Sequence, residues 1–181
     1  TMLDKTSPQT TNLDDLKPYQ GPKSPFALEE IFIQDAFAND DPKMWMPVTP
    51  YSWSRPLCLN ASQGYWVHLS KFRGTGVVSC HRHPATVHGF IIKGGWRYLE
   101  HDWVGTAGSY VFEPPGDIHT LVTLPDVEES ITLFHNTGAL IYCDVDGNTT
   151  GYADVFTRIE AYSKHFEKVG LGADYVKQFI R

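Results

Sequence analysis

The sequence predicts an antiparallel all-β barrel, and two observations carry that expectation. Between Tyr65 and Asp144, short runs of β-branched and aromatic residues recur, each closed by glycine, proline or an Asn/Asp turn, which is the punctuation of strands joined by tight connections. Eight such runs follow one another at a spacing that suits a jelly roll or a small barrel. The absence of an internal repeat excludes a two-barrel protein.

The elements are expected in the following order. Thr1 to Pro25 holds four prolines and little periodicity, so it reads as an extended arm lying on a surface or on a partner subunit. Phe26 to Phe37 carries a short amphipathic pattern. Pro42, Pro47, Pro50 and Pro56 then punctuate a stretch rich in Trp and Met, where helix is disfavoured because each proline removes a backbone donor and biases its predecessor toward extended geometry. Strands are expected at Gly64 to Phe72, Val77 to His83, Val87 to Lys93, Trp96 to Trp103, Ser109 to Phe112, His119 to Leu124, Ile131 to Asn136 and Ala139 to Asp144. After the Asp146-Gly147 turn, Val155, Ile159, Tyr162 and Phe166 recur at spacings of three or four, predicting an amphipathic helix over Tyr152 to Val169 that Gly170 stops. A second short helix is expected from Ala173 to Ile180. The chain thus divides into an arm and flanking segment (1–60), a barrel (61–150) and a helical tail (151–181).

Composition sets outer bounds on function. At 181 residues with 41% hydrophobic, 13% aromatic and 20% charged residues, the chain is one domain with a sizeable core rather than a disordered polymer. Its net charge of −6, without a long basic stripe, argues against nucleic acid as a partner. No apolar run reaches the roughly 18 residues of a membrane span, and the first ten residues, TMLDKTSPQT, lack the basic start and apolar stretch of an export signal. A soluble, cytoplasmic protein is expected. Cys58, Cys80 and Cys143 are odd in number and form no CxxC pair, which fits reduced thiols better than a disulfide framework.

The chemistry concentrates in histidines. His81 and His83 lie two apart in a predicted strand, so alternation sends both imidazoles to one face, where they can share a metal ion. An HxH pair alone equally describes hydrogen-bonded barrel histidines. The string Gly108-Ser-Tyr-Val-Phe-Glu-Pro-Pro-Gly-Asp-Ile-His119 adds a strand, a tight turn and a third histidine. Pro114 and Pro115 restrict the backbone entering the turn, and Gly116 supplies a positive φ where one is required.

These residues resemble the cupin superfamily. Its second motif, G(x)5PxG(x)2H, is matched at Gly108, Pro114, Gly116 and His119, with Thr123 where an Asn often stands. Its first motif is matched at His81, His83 and Gly95, with the leading glycine fitting loosely at Gly74 or Gly76. At the position of the motif's Glu stands His88. The resemblance implies a single-domain cupin, an antiparallel jelly-roll β-barrel with an N-terminal arm and C-terminal helices, binding a metal through His81, His83 and His119. Three neutral imidazoles suit Fe(II) with open coordination positions, although zinc or nickel also accept such a set.

The lack of a motif carboxylate is similar to the three-histidine cupin dioxygenases, including the families that cleave β-diketones and 2,4'-dihydroxyacetophenone. That resemblance implies an aromatic hydroxyketone and O2 as substrates, with both oxygen atoms entering the products. It also implies that Glu113 accepts a proton or orients a ligand beside the metal, and that Tyr98 presents its phenol to the substrate. Exposed-turn and packed-barrel roles stand as alternatives for these two residues. His88 is open between a fourth ligand, a donor behind the ligands and a barrel histidine without metal contact; the alternation places it with Phe90 and Ile92, on the interior face if the motif alignment holds. Glu100 is an outside candidate for a carboxylate ligand. His68, His135 and His165 carry no motif and are expected in bland roles. The five tryptophans, with Phe90 and Phe112, are assigned to the core rather than to a pocket. A homodimer or homotetramer is expected, with the proline-rich arm crossing to a neighbour.

Overall fold

A computed structural model describes residues 7–181. The arm expected over Thr1 to Pro25 therefore lies partly outside the described residues. From Ser7 to Asp40 the chain is mostly exposed and almost free of regular structure, apart from a 3-10 turn at Leu13–Asp15 capped by the Asn12 side chain. The amphipathic pattern at Phe26 to Phe37 does not form a helix. That stretch is held instead by Ile33, which packs against the core, and by its backbone carbonyls: Arg181 Nε donates to Glu29 O at 2.8 Å and Arg55 Nη1 to Ala36 O at 2.9 Å.

The barrel strands, among the described residues, are β1 (Met46–Thr49), β2 (Ser52–Asn60), β3 (Tyr65–Arg73), β4 (Val77–Arg82), β5 (Val87–Lys93), β6 (Gly95–Tyr98), β7 (Gly105–Thr106), β8 (Tyr110–Glu113), β9 (Ile118–Thr123), β10 (Glu129–Thr137), β11 (Ala139–Cys143) and β12 (Thr149–Asp154). They form two six-stranded sheets, ordered β1-β2-β3-β10-β5-β8 and β12-β11-β4-β9-β6-β7. The strand pairs in both are antiparallel. This is the expected all-β jelly roll.

The strand framework extends beyond 61–150 at both ends. β1 and β2 rise from the stretch in which the prolines disfavour helix, and Pro47 and Pro56 each sit where a sheet tolerates them. Pro47 lies on the edge strand β1, and Pro56 lies where the β2–β3 register shifts between Pro56 and Cys58. An edge or a bulge needs no donor from that residue. β12 occupies the first residues expected to be helical, because after the Gly147 turn the chain pairs back on β11, with Ala139 opposite Asp154.

The helix α1 (Val155–Lys168) then starts at a capping box in which Asp154 Oδ1 accepts from Thr157 N and Thr157 Oγ1 from Asp154 N. It ends as expected at Gly170, φ +85°, where Leu171 N donates to Phe166 O and Gly170 N to Glu167 O, satisfying two terminal carbonyls. The second helix is a 3-10 segment, Ala173–Phe179.

Three clusters make the core. α1 packs Val155, Tyr162 and Phe166 with Leu59, Trp66, Leu140, Val176 and Phe179. Phe72, Val87, Ile91, Trp96, Leu121 and Phe134 fill the barrel on another side, with Tyr98 among them. Trp45, Leu69 and Ile131 form the third, on the opposite side of β3 from His68, Ser70 and Phe72. The thiols of Cys58, Cys80 and Cys143 are free, and Cys80 Sγ lies 3.4 Å from Cys143 Sγ. No helix among the described residues is long and apolar enough to cross a membrane.

Candidate metal centre

β4 and β9 pair with His81 opposite His119, and side chains opposite one another project to the same face. His83 follows two residues after His81 and returns to that face. The Gly116 turn, φ +89°, is tied to the end of β4 by Gly116 N donating to His83 O at 2.8 Å. Thr123, standing where an Asn often does, holds the start of β4 through a 2.8 Å hydrogen bond from Gly76 N.

The result is a convergence of ring nitrogens. His119 Nε2 lies 3.1 Å from His81 Nε2 and 3.3 Å from His83 Nε2. Glu113 Oε2 lies 2.9 Å from His83 Nε2 and 3.5 Å from His119 Nε2. All four donor atoms fall within 4.8 Å of one another, and all four residues are buried. Two ligands at right angles, each about 2.1 Å from an ion, lie about 3 Å apart, so the imidazole spacing fits a shared metal.

The tautomers fit as well. Ser79 Oγ meets His81 Nδ1 at 2.8 Å and Asp117 Oδ2 meets His119 Nδ1 at 3.2 Å. The Asp117 carboxylate accepts the Nδ1 proton of His119 and the Ser79 hydroxyl can accept that of His81, which leaves the Nε2 lone pairs for an ion. Burial, together with the neighbouring histidines, holds His81 well below the usual histidine range. Burial also lowers His119, against the pull of Glu113. Both rings are thus neutral, the form that binds metal. Tyr98 stacks on His119 at 3.8 Å between ring centroids and 9° between planes, which restrains ring rotation.

Glu113 is 3% exposed, so the exposed-turn alternative is excluded. Its other oxygen, Oε1, accepts a hydrogen bond from the Tyr98 hydroxyl. Burial and then the charge of Glu113 raise the Tyr98 pKa well above the usual phenol range, so Tyr98 keeps its proton and remains a donor.

Two candidates fall outside the centre. His88 faces away from the interior: on β5 it is Val87, Gly89 and Ile91 that point inward, while Phe90 and Ile92 are exposed. His88 Nδ1 instead meets the Tyr110 hydroxyl at 2.7 Å. The register explains the reversal, because Val87 pairs with Glu113 and His88 with Phe112, and a one-residue shift exchanges the faces of a strand. The buried carboxylate absent at position 88 thus arrives from β8, across the strand pair. Glu100 is exposed, and its carboxylate accepts from Thr120 N and Oγ1, both at 2.7 Å. It lies past the end of β6, which stops at Tyr98 rather than Trp103, where His101 N turns back onto Tyr98 O.

A cavity of about 590 Å³ opens onto the centre, lined by His81, His83, Tyr98 and Glu113, with apolar walls from Phe72, Val78, Leu121, Phe134 and Leu140. Of the five tryptophans, only Trp53 lines it. The cavity also receives residues that the sequence reading left in bland roles or passed over, namely His68, Asn136 and Arg158. His135, by contrast, packs at a tilt against Tyr65, and His165 Nε2 meets Lys43 O. Ser79 and Asp117 were also missed, although each stands two residues before a histidine of the cluster on the same strand face or turn.

His68 yields a pH prediction. Burial, reinforced by the charge of Arg158, pushes it down to about 3 from an ordinary 6.5. Between those values the folded protein leaves His68 neutral while the unfolded chain protonates it. Its contribution to stability is therefore complete above pH 6.5 and falls by about 1.4 kcal/mol per unit as pH drops toward 3. Urea unfolding at pH 7.5 and 4.5 should show His68→Gln losing about 3 kcal/mol less than the wild type over that interval. An equal loss in both would contradict the assignment.

Comparison with known proteins places the chain. Residues 33–141 match the ChrR cupin-like domain. The chain belongs to that family. A solved RmlC-like cupin protein from Ralstonia eutropha is 29% identical over 70% of this chain and 83% of its own, with a TM-score of 0.66. A second Ralstonia eutropha protein, of unknown function and cupin-like fold, is 26% identical over 66% and 75%, with a TM-score of 0.64. An acetylacetone dioxygenase from Acinetobacter johnsonii shares the fold at 19% identity over 82% of this chain and 99% of its own, with a TM-score of 0.65. Among curated protein sequences none matches.

Proposed function

We propose that this cupin is a metal-dependent dioxygenase that cleaves a carbon–carbon bond beside the carbonyl of a small hydroxyketone, converting 2,4'-dihydroxyacetophenone and O2 to 4-hydroxybenzoate and formate. The observation that carries the reading is Glu113, a buried carboxylate with one oxygen held by Tyr98 and the other beside the imidazole nitrogens, at the wall of a cavity of about 590 Å³. The fold shared with an acetylacetone dioxygenase supports it.

His81, His83 and His119 would hold the ion. Fe(II) supplies Lewis acidity toward the substrate's oxygens and redox chemistry with O2, whereas zinc supplies only the first. The chain's own residues handle the proton. A ketone seated against the imidazoles brings its hydroxyl-bearing carbon toward Glu113, whose Oε2 accepts the C–H proton while Oε1 keeps its bond from Tyr98. Tyr98 stays protonated and fixes the carboxylate's orientation. The apolar walls keep bulk water from the exposed carbanion equivalent.

The test is oxygen uptake by Fe(II)-loaded protein given 2,4'-dihydroxyacetophenone, with acetylacetone in parallel and products identified. Uptake matched by equal amounts of 4-hydroxybenzoate and formate is expected. Uptake with acetylacetone alone would keep the reaction class and change the substrate. Turnover without oxygen would favour a metal-dependent isomerase. Tight zinc binding with no turnover would favour a metal-binding sensor module.

A further inference from the structure

The stripe of α1 that faces the barrel runs Val155, Arg158, Tyr162, Phe166. Three of these are apolar or aromatic and serve the core; the fourth is a guanidinium, 8% exposed, lining the same cavity as the imidazoles. No carboxylate of the described residues pairs with it. Its hydrogen bond runs from Nη2 to the Tyr142 hydroxyl, 3.2 Å, and its Nε is buried with no partner. Arg158 also lies in the first turns of α1, where the helix dipole adds positive rather than negative potential.

The surroundings match an acceptor. Asn136, 3% exposed and also lining the cavity, has a buried Nδ2 without a partner. His68 is neutral and bound to Ser54 Oγ at 2.7 Å, so it supplies no negative charge. A guanidinium cannot shed its proton, and a buried cation without a counter-charge is costly. Two unsatisfied donors on residues lining one cavity are the complement of a missing anion.

We propose that this part of the cavity is an anion site, in which Arg158, assisted by Asn136, holds a carboxylate at the end of the substrate remote from the reacting carbonyl. Tyr142 stands opposite His81 on the neighbouring strand, so the guanidinium lies one tyrosine side chain away from the imidazoles. One small molecule can therefore reach both. The planar fork of Arg158 matches a carboxylate, and a single cation balances a single negative charge. The inference rests on the reading of this cavity as the substrate site of a hydroxyketone dioxygenase, and it adds that a ring carboxylate in place of the ring hydroxyl binds more tightly there. Against this site 2,4'-dihydroxyacetophenone offers only a phenol.

The test pairs 2,4'-dihydroxyacetophenone with 4-(hydroxyacetyl)benzoate, which differs only in carrying a carboxylate in place of the ring hydroxyl. Calorimetric titration into metal-free and into anaerobic Fe(II)-loaded protein should give the carboxylate probe about 30-fold tighter binding. In Arg158→Met the two affinities should become equal, and Arg158→Lys, which keeps the stem and the charge without the fork, should retain a preference of about fivefold. Equal affinities in the wild type, or no binding of the carboxylate probe, would overturn the anion site whether or not either variant folds. Oxygen uptake measured alongside separates the two readings: tight carboxylate binding without uptake overturns the dioxygenase and leaves the anion site standing.

Discussion

His119→Ala is expected to weaken iron binding about 100-fold or more and to abolish oxygen uptake. Losing a partner behind a ligand commonly costs 10–100-fold in metal affinity, and losing the ligand costs at least as much. His119 is also the hub of the centre: its Nε2 is within 3.5 Å of His81, His83 and Glu113. The same variant should lose metal-induced stabilisation. Binding contributes RT ln(1 + [L]/Kd) to stability, so a 100-fold weaker site gives up about 2.7 kcal/mol at saturating iron. Unfolding with and without Fe(II) measures this, and the metal-free proteins compare the folding of the two chains directly. Wild-type iron stoichiometry and affinity in His119→Ala would remove the centre from these residues.

Glu113→Gln is expected to lower kcat about 1,000-fold while leaving iron content unchanged. General-base catalysis contributes about 100- to 10,000-fold, and glutamine preserves the side chain's volume and its acceptor toward Tyr98 while removing the basic oxygen. Tyr98→Phe should cost less, about 10-fold, because it removes only the hydrogen bond that orients the carboxylate. Parallel metal analysis decides the role. Iron lost in step with activity would make Glu113 a ligand rather than a base, and full activity in Glu113→Gln would remove it from the chemistry.

The parts of this protein that were legible in its sequence are those set by short-range rules. Gly116 and Gly170 both adopt positive φ, and both were readable because few other residues tolerate that backbone. The HxH spacing placed His81 and His83 on one face through strand alternation alone. Within Gly108 to His119, the proline-glycine turn announced the third histidine. Eight of the ten strands from Tyr65 onward, all but β7 and β12, followed from their apolar runs and breakers, and β6 was overrun only because nothing in its composition marks the turn after Tyr98.

What escaped the sequence depended on register and on partners distant in the chain. The alternation on β5 defined two faces but not which one is inside. Pairing with β8 made that choice, turning Val87 and Glu113 inward and His88 outward. β1 and β2 are strands despite Pro47 and Pro56 because one lies on an edge and the other at a bulge, and neither condition is visible locally. Arg158 left a signal, a cation interrupting the apolar stripe of an amphipathic helix, but the helical period cannot say what that stripe faces.

By itself, then, the sequence determined the all-β architecture, the shared face of His81 and His83 and the turn that delivers His119, because dihedral preference and side-chain alternation act within a few residues; that the three histidines converge was implied by the resemblance. Tertiary structure decided that Glu113, which the resemblance had placed beside the metal, meets those histidines while His88 turns away, and that a guanidinium shares their cavity. Those contacts join β5 to β8 and α1 to the barrel, and they depend on strand register and on which helix face docks.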